Sequence, residues 1–211
     1  MKKFFNQLFK LVFCIIFIFS AFFFISERDA YHPQEILPYV GSIAEPFREK
    51  GVHITAKTYD VRDSKAYLDR DLLQVGFQPI QITIQNNTDQ AYLLSNQGVG
   101  IPTAETNQVA RYVTRAAIPR AIGFKVAGFV FWPFLIPGTI DSIITCKSHI
   151  KMKRDYHAKS IKDEEEHLPP YSTLHRVIFL PTNQKFEEFT LHLKNQKTHR
   201  FSPFQVKIAI K

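Results

Sequence analysis

The stretch Phe77-Gln78-Pro79-Ile80-Gln81-Ile82-Thr83-Ile84-Gln85 decides the fold class. Ile80, Ile82 and Ile84 point one way along an extended chain; Gln81, Thr83 and Gln85 point the other. A period of two is that of a β-strand with one apolar face. Asn86-Asn87-Thr88-Asp89 follows, a run whose short polar side chains bond the local backbone and favour a turn. Ala91-Tyr92-Leu93-Leu94 then starts a return strand, which ends at Gly98 to Pro102.

The same grammar recurs on both sides. Val52-His53-Ile54-Thr55-Ala56 alternates, and Lys57 to Val61 continues it. Asp60 to Asp71 reads as a solvated, charged connector with a turn at Asp69-Arg70-Asp71. Near the C-terminus, Arg176 to Leu180 forms a strand stopped by Pro181. Phe186 to Leu193 puts Phe189, Leu191 and Leu193 on one face, and the last strand does the same with Phe204, Val206, Ile208 and Ile210. About seven short alternating strands predict a mainly β fold with a helical insertion, of the antiparallel immunoglobulin-like β-sandwich kind. The Cys…Trp…Cys pattern of antibody domains is absent. By analogy with that fold, the last strand is expected beside the Ile80–Gln85 strand.

The strands are interrupted from about 104 to 160, where a helical hairpin is expected. Thr103-Ala104-Glu105-Thr106 looks like a helix start with acid in its first turn. Val109 to Ile118 is helix-compatible, and Pro119 should kink or restart the helix. Residues 126–140, VAGFVFWPFLIPGTI, carry no charge, but Pro133 and Pro137-Gly138 should break them, leaving Asp141 to Ile150 as a second helix. A straight membrane span here would leave the two halves of one β-domain on opposite sides of the bilayer. A hairpin avoids that: Arg111, Arg115, Arg120 and Lys125 lie on the same side as Lys147, Lys151, Lys153 and Arg154. The tip with Phe129, Phe131, Trp132 and Phe134 would dip into lipid or a partner. A hairpin packed on the β-domain and a genuine span are the alternatives.

The charge map agrees with a membrane-facing insertion. The chain has 211 residues and a net charge of +8. Residues 105–162 hold ten Lys/Arg against three Asp/Glu, so nearly all the excess sits in this block. Basic charge beside apolar surface points to anionic lipid.

The N-terminus carries a second apolar run. Lys2 and Lys3 precede Leu11 to Ile25, LVFCIIFIFSAFFFI, which Glu27-Arg28-Asp29 closes after Ser26. That is the layout of an export signal. Phe19, Phe24 and Arg28 occupy the −3 positions of the candidate cleavage sites, where small residues are wanted. Residues 1–26 therefore read as an uncleaved signal anchor forming a hydrophobic transmembrane helix, with a cleaved signal peptide as the alternative. Phe13 before Cys14 argues against lipidation there. The lysines put the start on the cytoplasmic side. Residues 27–50, with Pro33, Pro38 and Pro46, form a linker, and 51–211 the domain. This places the chain in a bacterial inner membrane with a periplasmic domain, or in the periplasm after cleavage. Cys146 would then be the lone exported cysteine, and no structural disulfide is expected.

Chemistry-bearing motifs are sparse. There is no phosphate-binding loop, dinucleotide fingerprint, His-Glu-x-x-His or nucleophile elbow. Gly98-Val99-Gly100 lacks a third glycine. His149, His157 and His167, with Glu164-Glu165-Glu166, have spacings that suit no zinc pattern. Asp60, Asp63, Asp69 and Asp71 lack the calcium-loop spacing. No catalytic, metal or cofactor residue is expected, and no nucleic-acid partner.

PIQITIQNNT (79–88), the hydrophobic insertion, DYHAKS (155–160), LPPYS (168–172) and VIFLP (177–181) together resemble a loose group of uncharacterised bacterial cell-envelope proteins. In that group a strand with an Asn-x-Thr/Ser unit precedes a small-residue hairpin, and a strand ending in proline follows. The likeness covers about residues 51–211; the hairpin here has fewer glycines than the pattern. It implies an exported, membrane-associated immunoglobulin-like domain and brings no functional residues with it. The expected function is that of a non-catalytic envelope protein contacting lipid or a membrane complex through residues 109–150. The alternative is a binding module of a secretion or envelope-assembly machine that recruits partners through its sheet edges.

Overall fold

The computed structural model describes residues 9, 10, 12, 13, 16, 20, 30–32, 51–114 and 135–209, with side chains from 143 in the last stretch. The chain divides into two compact units, residues 1–32 with 114–151 and residues 33–113 with 152–211.

The second unit is mainly β. Its strands are β1 (Val52–Thr58), β2 (Phe77–Asn86), β3 (Tyr92–Leu94), β4 (Glu166–Leu168), β5 (Ser172–Pro181), β6 (Glu188–Asn195) and β7 (Phe201–Ala209). They form one seven-stranded sheet in the order β4-β3-β6-β7-β1-β2-β5. The sheet is mixed rather than antiparallel: β7 runs parallel to β1, through Ala56–Ile208 and Lys57–Ala209. The last strand thus lies one strand away from β2, with β1 between them. A period-two pattern assigns each residue to a face but carries nothing about the direction of the neighbouring strand.

The edges of the sheet approach each other. Arg176 on β5 makes a two-pronged ion pair with Glu166 on β4, its Nε donating to Oε2 at 2.7 Å. The inward residues of the β1-β2-β5 half (Ala56, Ile80, Ile82, Ile84, Ile178, Leu180) join those of the β3-β6-β7 half (Leu94, Phe189, Leu191, Leu193, Val206, Ile208) in one apolar core. Gly98 and Gly100 let the chain after β3 lie against the β6 backbone: the Gly100 N–H donates to Thr190 O at 2.8 Å. A Cβ on Gly100 would stand 2.7 Å from that carbonyl oxygen, so these two glycines serve backbone approach.

The outer face of β2 is not solvated. Gln81, Thr83 and Gln85 are only 1%, 2% and 3% exposed. Tyr59 supplies part of the cover, and after it comes a helix where a charged connector was expected, α1 (Val61–Leu68). Asp60 caps it by accepting from the Asp63 N–H at 2.7 Å, and Asp69 ends it in the left-handed region at φ 55°. Helical residues 106–114 (α2) bring Val109, Ala110 and Val113 into the buried set.

The helix α3 spans Leu135–Lys159. It runs through Pro137-Gly138, where a break was expected. Proline keeps a helical φ and forfeits only its own N–H bond, so the helix carries it at a local cost. Residues Met152–Lys159 of α3 belong to the second unit and pin α1 from its C-terminal end. Lys159 Nζ donates to Tyr67 O at 2.8 Å, and Tyr156 O–H donates to Leu68 O at 3.1 Å. These are two of the terminal carbonyls that α1 cannot satisfy internally. Asp155, at 2.7 Å, neutralises the buried Lys159 ammonium.

In the first unit, the described N-terminal residues Phe9, Lys10, Val12, Phe13, Ile16 and Ser20 have helical backbone and are exposed. On α3, Ser148 Oγ accepts from the Tyr31 N–H at 3.2 Å, and His149 Nδ1 lies 2.8 Å from Thr114 Oγ1. The connection between α2 and α3, and with it the turn of the expected hairpin, lies outside the described residues.

Candidate functional site

Among the sequence-derived contact residues, Arg111 is exposed on α2, and Lys147 and Lys151 are exposed on α3. Arg115, Arg120, Lys125, Phe129, Phe131, Trp132 and Phe134 lie outside the described residues. The α3 surface adds what sequence reading passed over: Ile143 and Ile150 are 56% and 45% exposed, on either side of Lys147. Lys153 and Arg154 are exposed as well. The signal was present, since two isoleucines seven apart with a lysine between them share one helical side. It was passed over because the expected second helix, Asp141 to Ile150, was read for its charges and not for its apolar spacing.

Apolar exposure is also concentrated at the N-terminus. Phe9, Val12, Phe13 and Ile16 recur at i, i+3, i+4 and i+7, and are 64%, 46%, 62% and 58% exposed. Such a stripe faces outward instead of into a core. No helix among the described residues is long and apolar enough to cross a membrane.

The second unit has a polar cleft of about 250 Å³ where the start of α2 meets the segment after α3. Asn96, Thr103, Glu105, His157, Lys162 and Asp163 line it. Three of its polar side chains bond one another: Asn96 Nδ2 donates to Asp163 Oδ1 at 3.1 Å, and Thr103 Oγ1 donates to Asn96 Oδ1 at 3.1 Å. These bonds tie the connecting segments together, and Ser160 Oγ, also on the lining, donates to the His157 carbonyl oxygen at 3.3 Å.

The perturbed groups lie elsewhere and have structural causes. Burial pushes the phenols of Tyr59 and Tyr156 well above the usual tyrosine range. Tyr59 O–H donates to Gln81 Oε1 at 3.0 Å, so the protonated phenol is the form this layer uses. His175 is held below its ordinary value, first by burial and then by the Arg176 charge. Its Nδ1 lies 2.9 Å from Thr83 Oγ1.

Three or more His, Cys, Asp or Glu side chains converge nowhere among the described residues. His167 Nε2 instead lies 2.9 Å from Gln196 Oε1. No protein-family model and no curated protein matches this chain.

Proposed function

We propose that this chain is a non-catalytic, membrane-associated envelope protein. Its N-terminal segment is a hydrophobic anchor helix, and the β-domain is held at a bilayer, where the basic insertion contacts lipid or a membrane complex. The observation that carries the reading is the outward stripe of Phe9, Val12, Phe13 and Ile16. Four large apolar side chains left in water on one helical side are stable only when something apolar covers them. They lie within the lysine-led run 1–25 that reads as an export signal. The excess charge of residues 105–162 supplies a second, electrostatic attraction to an anionic surface.

The domain itself is read as immunoglobulin-like. The strand order β5-β2-β1-β7-β6-β3-β4 corresponds to E-B-A-G-F-C-C′, in which a first strand joins two sheets by pairing with the last. The single core drawn from both halves supports this.

The strand-addition alternative has one observation behind it. Among the described residues, β7 pairs with β1 only at Ile208 and Ala209, so Phe201 to Lys207 keep an open side. Pro203 and Lys207 blunt that side. The β5 edge is already occupied: Phe179 O accepts from the Ala104 N–H, Val177 bridges Ser160, and His175 O accepts from Arg176. The lipid reading is therefore preferred.

The test is fractionation of the natively expressed full chain with intact mass and protease protection on spheroplasts. Full-length protein should stay with membranes through an alkaline carbonate wash, with residues 51–211 digestible from outside. Replacing Phe9, Val12, Phe13 and Ile16 together by serine should release it. Full-length wild-type chain in the soluble fraction would refute the reading.

A further inference from the structure

We infer that the exposed side of α3 over residues 143–151 lies along an anionic phospholipid surface, a partner assignment that rests on the membrane reading above. Ile143 and Ile150 stand two helical turns apart on one side. Lys147 lies between them, one turn from each, and Lys151 one turn beyond Lys147. Cys146 is exposed beside them. No Asp or Glu occurs between 143 and 151.

The other side of the helix is engaged. Ser148 accepts from the Tyr31 N–H, and His149 meets Thr114. The isoleucines therefore cannot be turned inward without breaking those bonds.

The row of isoleucines and the row of lysines define the occupant. A neutral apolar surface would cover Ile143 and Ile150 but leave the ammonium groups without counter-charge. A polyanion in water would answer the lysines and leave the isoleucines exposed. An anionic bilayer does both: isoleucines enter at the acyl boundary, while the lysine stems lie along it with their ammonium groups at the phosphates. Each lysine at such a surface strengthens the contact roughly fivefold.

Cys146 offers the readout. In a Cys14→Ser full-length chain, an environment-sensitive fluorophore on Cys146 reports whether this side is in lipid, whatever the N-terminal run is doing. The chain is reconstituted into vesicles of phosphatidylcholine, and into vesicles in which part of the lipid is phosphatidylglycerol. Quenching by brominated lipid is compared with quenching by acrylamide from the water. The expected result is strong lipid quenching in the anionic vesicles only, reversed by high salt and by K147Q with K151Q. A probe reached from water in both vesicle types, on chain that still floats with them, overturns this inference and leaves the membrane reading standing. Equal lipid quenching in both types overturns the anionic assignment. Chain that floats with neither type overturns both readings.

Discussion

On one face of β2, Ile80, Ile82 and Ile84 share a core with apolar residues of the six other strands and two loops. On the other face, Gln81 meets a tyrosine hydroxyl and Thr83 a histidine. Both faces are buried to within a few per cent. The inner face is covered by area alone, so any apolar residue of the right volume serves it. The outer face is polar, and its groups are met one at a time: Gln81 by Tyr59 and Thr83 by His175. Burying an unpaired hydroxyl, amide or carbonyl costs more than the contact returns. The first kind of layer tolerates chemistry of one type; the second specifies individual residues.

The two layers separate most clearly under mutation. Ile82→Ala, at a fully buried position in the middle of β2, should cost about 3–4 kcal/mol, from lost transfer energy and the cavity left behind. Urea denaturation measures it, and a loss below about 1 kcal/mol would mean that the inner core has collapsed around the gap and is not the dominant layer. Thr83→Val beside it should cost about 1 kcal/mol, the net worth of its hydrogen bond to His175.

Lys159→Met comes next. It removes the donor to Tyr67 O and leaves Asp155 facing a helix end with a low-dielectric surround. The expected cost is about 2–3 kcal/mol, below the range for a fully enclosed pair because both partners keep some solvent contact. Asp155→Asn added to it should recover part of that loss. If the double variant is as unstable as the single, the buried charge is not the cause and the pin acts through Tyr67 O alone.

This contrast also accounts for what could be read from the chain beforehand. The inner faces of β2, β6 and β7 were legible because strand alternation maps residue to face: Phe189, Leu191, Leu193, Val206 and Ile208 are all buried, as the pattern requires. The parallel join of β1 to β7 was not legible, because alternation is blind to the neighbour's direction. α1 was missed because Asp60, Asp63, Asp69 and Asp71 look like a solvated loop when counted as charges. Two of them are helix caps whose meaning depends on position. The candidate surface was half legible. Charge counting located Lys147 and Lys151, whereas Ile143 and Ile150 required the apolar spacing inside the expected helix Asp141 to Ile150 to be read as well.

The smallest expected effect belongs to the polar layer and depends on pH. His175 titrates below its ordinary value of 6.5 in the folded protein, because burial and the Arg176 charge both disfavour the imidazolium. As pH falls, the unfolded chain therefore takes up the proton first. Stability owed to this residue is intact above about 6.5 and declines as pH drops from there to the folded-state value, below which the loss is complete and constant. His175→Gln can keep a hydrogen bond to Thr83 without a titrating group. Between pH 7 and 5 its stability should fall less steeply than that of the wild type. Parallel pH profiles for the two proteins would show that the outer layer opens beside Thr83 and that His175 is solvated there, which would confine the polar cover to the part of the strand met by Tyr59.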